Sequence, residues 1–214
     1  MNKLSVVGLV ISAVIIVIVI VILLFGRLFR MLLTPAMRTV AAAGAGPDYT
    51  SASLIANDGS PYPLAPHRGQ VILLVNTASK CGFTKQYDGL ERLWLRYRDR
   101  GLVIIGVPTN DFFAQEPGSD ADIAAFCRVR HGVTFPLMQK ITLRGPQTHA
   151  LYRDLQQQDP LPGTVPWNFE KCLLGRDGRL RARISPRVEP EDPRVIALLD
   201  RLLAEDPAAS PSRE

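Results

Sequence analysis

Two apolar runs stand out in the middle of the chain, with a different pattern between them. The runs Val71–Val75 and Leu102–Val107 contain no polar residue, which is typical of central strands covered on both faces. Across Tyr87–Tyr97, apolar residues recur at helical spacing. We expect this helix to be capped by Thr84 and to end near Gly101. A strand, a helix and a strand of these lengths form a βαβ unit, so the two strands should be parallel.

The rest of the chain predicts shorter elements around this unit. Candidate strands are Tyr49–Ile55, Tyr62–Leu64, Leu137–Leu143, Lys171–Leu174 and Arg179–Ile184. Amphipathic patterns predict further helices at Asp120–Arg130, His149–Gln157 and Arg194–Ala204. The Asp177-Gly178 pair between the last two strands is a hairpin signal. This order of elements predicts an α/β domain of thioredoxin-like fold, with a central mixed sheet and helices on both faces.

The N-terminal region has a different character. Leu4–Phe25 is apolar and uncharged, and as a helix it is long enough to cross a hydrocarbon core of ~30 Å. A secretory signal has a shorter apolar region that ends in a cleavage site, whereas arginines follow here at 27, 30 and 38. The sequence therefore predicts an uncleaved single-pass anchor.

The anchor sets the expected domain boundaries. They are 1–38 for the transmembrane anchor and its basic flank, 39–47 for a Gly/Ala-rich linker, 48–206 for the thioredoxin-like domain and 207–214 for a disordered tail. More positive charges follow the apolar span than precede it, which favours a cytoplasmic position for the folded domain. A domain on the cell exterior stays open as the alternative.

Composition narrows the functional classes. The net charge is +5, but the charges are scattered, so we expect a solvated surface and no nucleic-acid partner. There are 3 cysteines and no CxxC pair, which excludes a disulfide framework. Neither cysteine nor histidine shows metal-ligand spacing. We therefore expect no metal and no cofactor.

The candidate chemistry lies between the first central strand and its helix. Cys81 follows that strand closely, beside Lys80. The first turn of a helix exposes unpaired N–H groups and the positive end of the helix dipole. A thiol held there should ionise more readily than an ordinary cysteine, and the thiolate is the nucleophile. A cysteine that merely ends a buried strand is the alternative at this stage.

Three separated segments together resemble the signatures of the glutathione peroxidase family. They are Asn76–Thr84, Gly106–Gly118 and Trp167–Lys171. Their order and spacing match those of the family, from Tyr49 to the final helix. The family has a thioredoxin-like fold, and the N-terminal anchor lies outside the resemblance.

The resemblance implies a catalytic tetrad. The matching positions are Cys81, Gln115, Trp167 and Asn168. Amide and indole N–H groups donate hydrogen bonds to a thiolate without competing as bases, which suits these residue types to the role. Taken singly, Gln115, Trp167 and Asn168 would be a loop amide, a core aromatic and a turn former.

The resemblance also implies how the enzyme is reduced. Because position 81 is cysteine, the chain resembles the non-selenium branch, which uses a resolving cysteine. Cys127 lies in the predicted helix where thioredoxin-dependent members carry that residue. Its alternative role is a small buried apolar residue, which is the role expected for Cys172. Thioredoxin is the expected reductant, with glutathione as the alternative.

The chain departs from the family pattern at two places. Thr109 and Asp111 stand where cysteine and glutamine are common, and the charge of Asp111 is expected to weaken binding of acidic substrates. The stretch Leu155–Trp167 lacks the insertion through which tetrameric members build subunit contacts, so we expect a monomer, or a weak dimer, with an open site.

These observations predict a thiol peroxidase. It would reduce hydrogen peroxide and organic hydroperoxides through a sulfenic acid on Cys81, and the anchor favours lipid hydroperoxides. A redox sensor that passes the same oxidation to a partner protein is the alternative. A thioredoxin-type thiol–disulfide oxidoreductase is disfavoured by the absent CxxC.

Overall fold

The computed structural model describes residues 37–39, 46–158 and 161–206. In chain order the strands are β1 (Met37–Thr39), β2 (Ser53–Ile55), β3 (Pro61–Pro63), β4 (Val71–Thr77), β5 (Leu102–Pro108), β6 (Lys171–Leu174) and β7 (Leu180–Ile184). The α-helices are α1 (Gln86–Tyr97), α2 (Asp120–His131), α3 (Ala150–Gln157) and α4 (Pro193–Leu203). Three short 3-10 helices cover Tyr49–Ser51, Ala65–His67 and Arg98–Arg100.

Five strands form a mixed sheet in the order β1-β7-β6-β4-β5. The pair β4–β5 is parallel, in register from Val71 opposite Leu102 to Thr77 opposite Pro108. The other three pairs are antiparallel. Strands β2 and β3 form a separate hairpin. The predicted βαβ unit and the predicted mixed sheet are therefore confirmed.

The sheet divides the apolar core into two parts, because side chains alternate along β4. Leu73 and Val75 pack in a first core region with residues of α1, α2 and α4. Ile72 and Leu74 pack in a second core region with residues of α3 and the β2–β3 hairpin. All four side chains are fully buried, which explains why the strand is apolar on both faces.

The predicted strand Leu137–Leu143 is wrong. Its backbone makes only two isolated bridges, Ala56 with Met138 and Gly106 with Leu137. The hydrogen bonds of this segment are divided between β5 and the end of β2, since the Met138 N–H donates to the Gly106 carbonyl and the Gln139 N–H donates to the Ile55 carbonyl. A segment shared between two neighbours in this way forms no continuous ladder.

The structure describes few of the N-terminal residues for which an anchor and a linker are predicted. Met37–Thr39, which the sequence assigned to the basic flank and the start of the linker, forms the edge strand β1 against β7. Leu4–Phe25, most of the predicted linker and the tail 207–214 lie outside the described residues. Among the helices that the structure does describe, none has the length and apolarity to cross a membrane.

Candidate active site

Cys81 lies in a tight loop between β4 and α1. The Thr84 hydroxyl closes this loop, because it accepts a hydrogen bond from the Cys81 N–H at 3.1 Å and donates one to the Ala78 carbonyl at 2.9 Å. The Phe83 N–H points at the Cys81 Sγ, at 3.5 Å. Cys81 itself is only 9% exposed. The loop therefore holds a nearly buried thiol with one backbone donor directed at its sulfur.

The expectation that Cys81 occupies the first turn of the helix is wrong. Helix α1 begins at Gln86, and its N-cap is Lys85, without a side-chain cap. Thr84, expected as the cap, uses its hydroxyl to close the loop instead. Between Cys81 and the start of α1, the backbone forms turns that are closed by hydrogen bonds between residues three apart, such as the bond from the Gln86 N–H to the Phe83 carbonyl. The local N–H of Phe83, rather than the helix terminus, is the group that meets the sulfur.

Gln115 and Asn168 are brought into direct contact. The Asn168 Nδ2 donates to the Gln115 Oε1 at 3.0 Å, and Asn168 is completely buried. The backbone of Gln115 is tied to the Cys81 loop, because its carbonyl accepts the Lys80 N–H at 3.0 Å. With its oxygen engaged by Asn168, the amide nitrogen of Gln115 is left to donate to another group.

Trp167 lies at the junction of the two core regions, against which it packs on both sides. Its ring contacts Phe112 and Phe113, with ring centroids 5.7 Å and 5.5 Å apart. The indole is half-buried. It therefore has a fixed apolar base and a part that reaches solvent.

Asn76, which sequence reasoning did not single out, holds this segment to the end of β4. Its Nδ2 donates to the Trp167 carbonyl at 3.0 Å, and its own carbonyl accepts the Phe169 N–H at 2.6 Å. Asn76 is 1% exposed. A buried amide at the end of an apolar strand was the available signal, since such a group needs partners.

The structure thus brings Gln115, Trp167 and Asn168 together. It connects Cys81 to this group through the neighbouring residue Lys80. Asn168 meets Gln115, Trp167 precedes Asn168 in the chain, and the Cys81 loop is bonded to Gln115 through Lys80. Among the hydrogen bonds of the described residues, the Cys81 sulfur has the Phe83 N–H as its donor. The roles of the four residues stay a prediction.

The other two cysteines lie on opposite sides of the sheet. Cys127, on α2, is buried in the first core region, which also contains Cys81. Burial raises the pKa of its thiol to about 11, although the Tyr87 hydroxyl opposes this shift. Cys172, on β6, is buried in the second core region, and burial raises its pKa to about 12. All three cysteines are free thiols.

The Asp111 carboxylate accepts hydrogen bonds from backbone N–H groups. Its Oδ2 accepts the N–H groups of Leu143 and Arg144, at 2.5 Å and 3.0 Å. The Arg144 guanidinium in turn donates hydrogen bonds to the carbonyls of Val165 and Pro166, just before Trp167 in the chain. Asp111 therefore fixes the loop that flanks the indole, a structural role that the sequence prediction about acidic substrates did not include.

Backbone strain concentrates at this site. Phe113, Ala114 and Phe169 have φ values of 54°, 51° and 67°, and they are the non-glycine residues with positive φ in the described part of the chain. Each such conformation costs roughly 1–3 kcal/mol and persists only where surrounding contacts hold it. Two of the three precede Gln115, and the third follows Asn168.

A buried lysine supports the strained Phe169. The Lys171 Nζ donates to the carbonyls of Phe169 and Val188, at 3.0 Å and 2.8 Å. Lys171 is fully buried, and burial lowers its pKa to about 7, against the opposing charges of Glu189 and Glu170. Sequence reasoning also missed this residue, which lies inside the third signature.

Glu116 is a second buried ionisable residue, next to Gln115 of the predicted tetrad. It is 1% exposed, and burial raises the pKa of its carboxyl, with Ser79, Lys140 and Lys80 acting in the opposite direction. Its N–H donates to the Asn110 Oδ1 at 2.8 Å. Among the described residues, no group of three or more His, Cys, Asp or Glu side chains is arranged to hold a metal ion.

A thioredoxin-like sheet with a cysteine just past its central strand defines a class of thiol-based oxidoreductases. The glutathione peroxidase family model matches residues 49–156. The glutathione peroxidase-like peroxiredoxin gpx1 of Schizosaccharomyces pombe is 48% identical over 136 residues, which are 63% of this chain and 86% of that protein. The chain therefore belongs to the glutathione peroxidase family. It is a peroxidase with cysteine in place of selenocysteine at position 81.

Two further similarities extend this comparison. The hydroperoxy fatty acid reductase gpx1 of Synechocystis is 42% identical over 154 residues, covering 68% of this chain and 90% of that protein. The crystal structure of T. cruzi GPX1 is 31% identical, with a TM-score of 0.59, and covers 73% of this chain and 97% of that chain. The predicted thioredoxin-like fold is thereby confirmed.

Proposed function

We propose that Cys81 is the peroxidatic cysteine, and that Gln115, Trp167 and Asn168 orient the hydroperoxide and stabilise charge on the sulfur. The observation that carries this proposal is the hydrogen bond from Asn168 to Gln115, on segments bonded to the Cys81 loop. It leaves the Gln115 amide nitrogen as a preorganised donor. Such donors favour the thiolate and the transition state over the neutral thiol.

In the proposed first step the Cys81 thiolate attacks one oxygen of the hydroperoxide. A sulfur–oxygen bond forms and the oxygen–oxygen bond breaks, which leaves Cys81 as a sulfenic acid. The other oxygen leaves as water or an alcohol after taking up a proton. The Phe83 N–H, which points at the Cys81 sulfur, and the Gln115 amide nitrogen are the proposed donors to these changes in charge.

In the second step Cys127 condenses with the sulfenic acid, giving a Cys81–Cys127 disulfide and water. Both thiols belong to the first core region, but Cys127 is fixed inside α2. That helix buries only Ile123, Ala124 and Cys127, so few apolar contacts oppose its local unwinding. Unwinding also exposes the Cys127 thiol to water, which removes the burial that raises its pKa.

The reductant is thioredoxin in this proposal, with glutathione as the alternative. Thioredoxin would open the disulfide by thiol–disulfide exchange. Repeated turnover distinguishes a peroxidase from a redox sensor, because a sensor is oxidised once and then forms a mixed disulfide with its partner.

The test compares Cys127→Ala with Cys172→Ala, since each variant removes one buried thiol. We expect Cys127→Ala to lose roughly tenfold or more of its thioredoxin-driven turnover, because its sulfenic acid lacks an internal partner. It should still consume about one equivalent of hydrogen peroxide per chain in a single turnover. Cys172→Ala should retain full turnover. Undiminished thioredoxin-driven turnover in Cys127→Ala would contradict the resolving role.

We also propose that the enzyme is a monomer and that Leu4–Phe25 holds it at a membrane. In this proposal the folded domain lies in the cytoplasm, and lipid hydroperoxides are among its substrates. The support is the length and apolarity of that segment, together with a relative named hydroperoxy fatty acid reductase. The test compares the full chain with a form that begins at Ala36, which retains β1. Equal rates on a phospholipid hydroperoxide in vesicles would contradict the role of the anchor.

A further inference from the structure

One apolar side chain at the active site faces solvent. Phe113 is 84% exposed, whereas its neighbour Phe112 is 1% exposed and lies in the second core region. Phe113 therefore contributes little to the core. Its ring nevertheless has one fixed contact, with Trp167, at a centroid distance of 5.5 Å and an angle of 46° between the ring planes.

The backbone that presents this ring is strained. Phe113 has a φ of 54° and Ala114 has a φ of 51°, a region that favours glycine and penalises a residue with a Cβ. Glycine at position 113 would remove this penalty. A side chain that adds little to the core and strains its own backbone needs a role outside folding.

The position of the ring indicates that role. Gln115 follows Phe113 by two residues, and its carbonyl accepts the Lys80 N–H next to Cys81. The base beneath the loop is rigid, because Phe112 lies against both Trp167 and the Arg144 guanidinium, the latter 4.3 Å from the ring centroid. Phe113 and Trp167 thus form a pair of aromatic rings at the rim of the site.

We propose that Phe113 is a specificity-determining residue, whose ring binds, together with Trp167, the alkyl or aryl part of an organic hydroperoxide. The inference rests on the proposed peroxidatic role of Cys81. Hydrogen peroxide has no apolar part, so it gains nothing from the two rings. An organic hydroperoxide buries apolar surface against them while its peroxide group meets Cys81 and Gln115.

A protein reductant is the other molecule that would meet an exposed aromatic ring at this site. The structure favours the hydroperoxide, because the ring rests on the indole proposed to orient the peroxide rather than on an outer helix or strand. Val129, on α2, provides a matched control, because it is another large apolar side chain, 82% exposed, and belongs to an element that carries none of the proposed tetrad.

The experiment measures kcat/KM for cumene hydroperoxide and for hydrogen peroxide in the full chain with thioredoxin, and uses their ratio. Phe113→Gly tolerates the positive φ, so it should fold. We expect it to lower the ratio roughly fivefold to twentyfold, because one aromatic contact with the substrate is lost. Phe113→Leu should restore most of the ratio, and Val129→Ala should leave it as in the unsubstituted chain.

Each other outcome has a defined meaning. An unaltered ratio of the two kcat/KM values in Phe113→Gly would overturn the inference. This also holds if both kcat/KM values fall by the same factor because Gln115 is displaced. An unaltered ratio with a raised KM for thioredoxin would show that the ring docks the reductant instead. If the unsubstituted chain turns over neither hydroperoxide, the proposed function fails, and the inference fails with it.

Discussion

At the scale of single residues, the site depends on buried polar groups whose hydrogen bonds tie its segments together. Asn76 connects the end of β4 to both Trp167 and Phe169. The amide therefore determines where the segment that carries Trp167 and Asn168 lies relative to the Cys81 loop. Its loss would leave the Trp167 carbonyl without this donor, while the backbone bond from the Phe169 N–H to the Asn76 carbonyl would remain.

We expect Asn76→Ala to lower kcat/KM for hydrogen peroxide about tenfold or more, since a displaced catalytic group loses much of its effect. The free energy of unfolding should fall by about 1–3 kcal/mol. Asn57→Ala is the control, because the Asn57 Nδ2 also donates to a distant carbonyl, that of Asp120, at 2.6 Å. It should lower stability without lowering kcat/KM. Equal kinetic losses in the two variants would argue against a specific role for Asn76.

Residues at this scale were only partly predictable from the sequence. The resemblance supplied Gln115 and Asn168, which the structure places in contact. It did not supply Lys171, because a lysine that follows Glu170 at the start of an apolar strand gives no sign that its Nζ is buried against two carbonyls. The strain at Phe113 and Ala114 was equally hidden, since backbone angles follow from contacts that close only in the folded chain.

At the scale of elements, helix α2 has the most defined start. Ser119 and Asp122 form a capping box: the Ser119 Oγ accepts the Asp122 N–H at 3.2 Å, and the Asp122 carboxylate accepts the Ser119 N–H at 3.0 Å. This helix also carries Cys127, so the cap opposes the unwinding that the proposed disulfide requires.

We expect Ser119→Ala to lower stability by about 1 kcal/mol and to accelerate formation of the Cys81–Cys127 disulfide, measured by stopped-flow after one equivalent of peroxide. Asp192→Ala is the control, because the Asp192 carboxylate caps α4 in a similar way, at 2.9 Å from the Arg194 N–H. It should lower stability and leave the rate of disulfide formation as it is. A slower disulfide step in Ser119→Ala would count against unwinding from the N-terminal end of α2.

Elements were predicted best where burial imposes a simple pattern. Strands β4 and β5 are buried along their whole lengths, so β5 has an apolar sequence throughout and β4 has one as far as Val75. Strand β1 has three residues and partial burial, and such a short edge strand leaves no periodicity to detect. Leu137–Leu143 looked like a strand because several of its residues are buried, but its partners lie on two different sides.

At the scale of the whole molecule, stability should depend on pH through Lys171. Its pKa is about 7 in the folded protein and near the ordinary lysine value of 10.5 when the chain is unfolded. At a pH between these two pKa values, Lys171 is protonated in the unfolded chain and has released its proton in the folded protein. Stability therefore rises with pH across this window, and the full penalty of the buried charge applies below it.

We expect the free energy of unfolding in urea to increase between pH 7 and pH 9, by up to about 1.4 kcal/mol per pH unit from this group. Lys171→Met should flatten the slope, although it also loses the hydrogen bonds to Phe169 and Val188. Glu170 and Glu189 are the opposing charges near Lys171. A slope that persists in Lys171→Met would assign the pH dependence to another group.

The central sheet also has a practical consequence for quantitative work. The hydrogen-bonded strands β4 and β6 separate Cys172 from the core region that holds the other two cysteines. In the proposed mechanism, oxidation by hydroperoxide consumes Cys81 and Cys127 and leaves Cys172 as a free thiol. A denatured sample would then titrate as three thiols before oxidation and one afterwards, so Cys172 serves as an internal standard built into every chain.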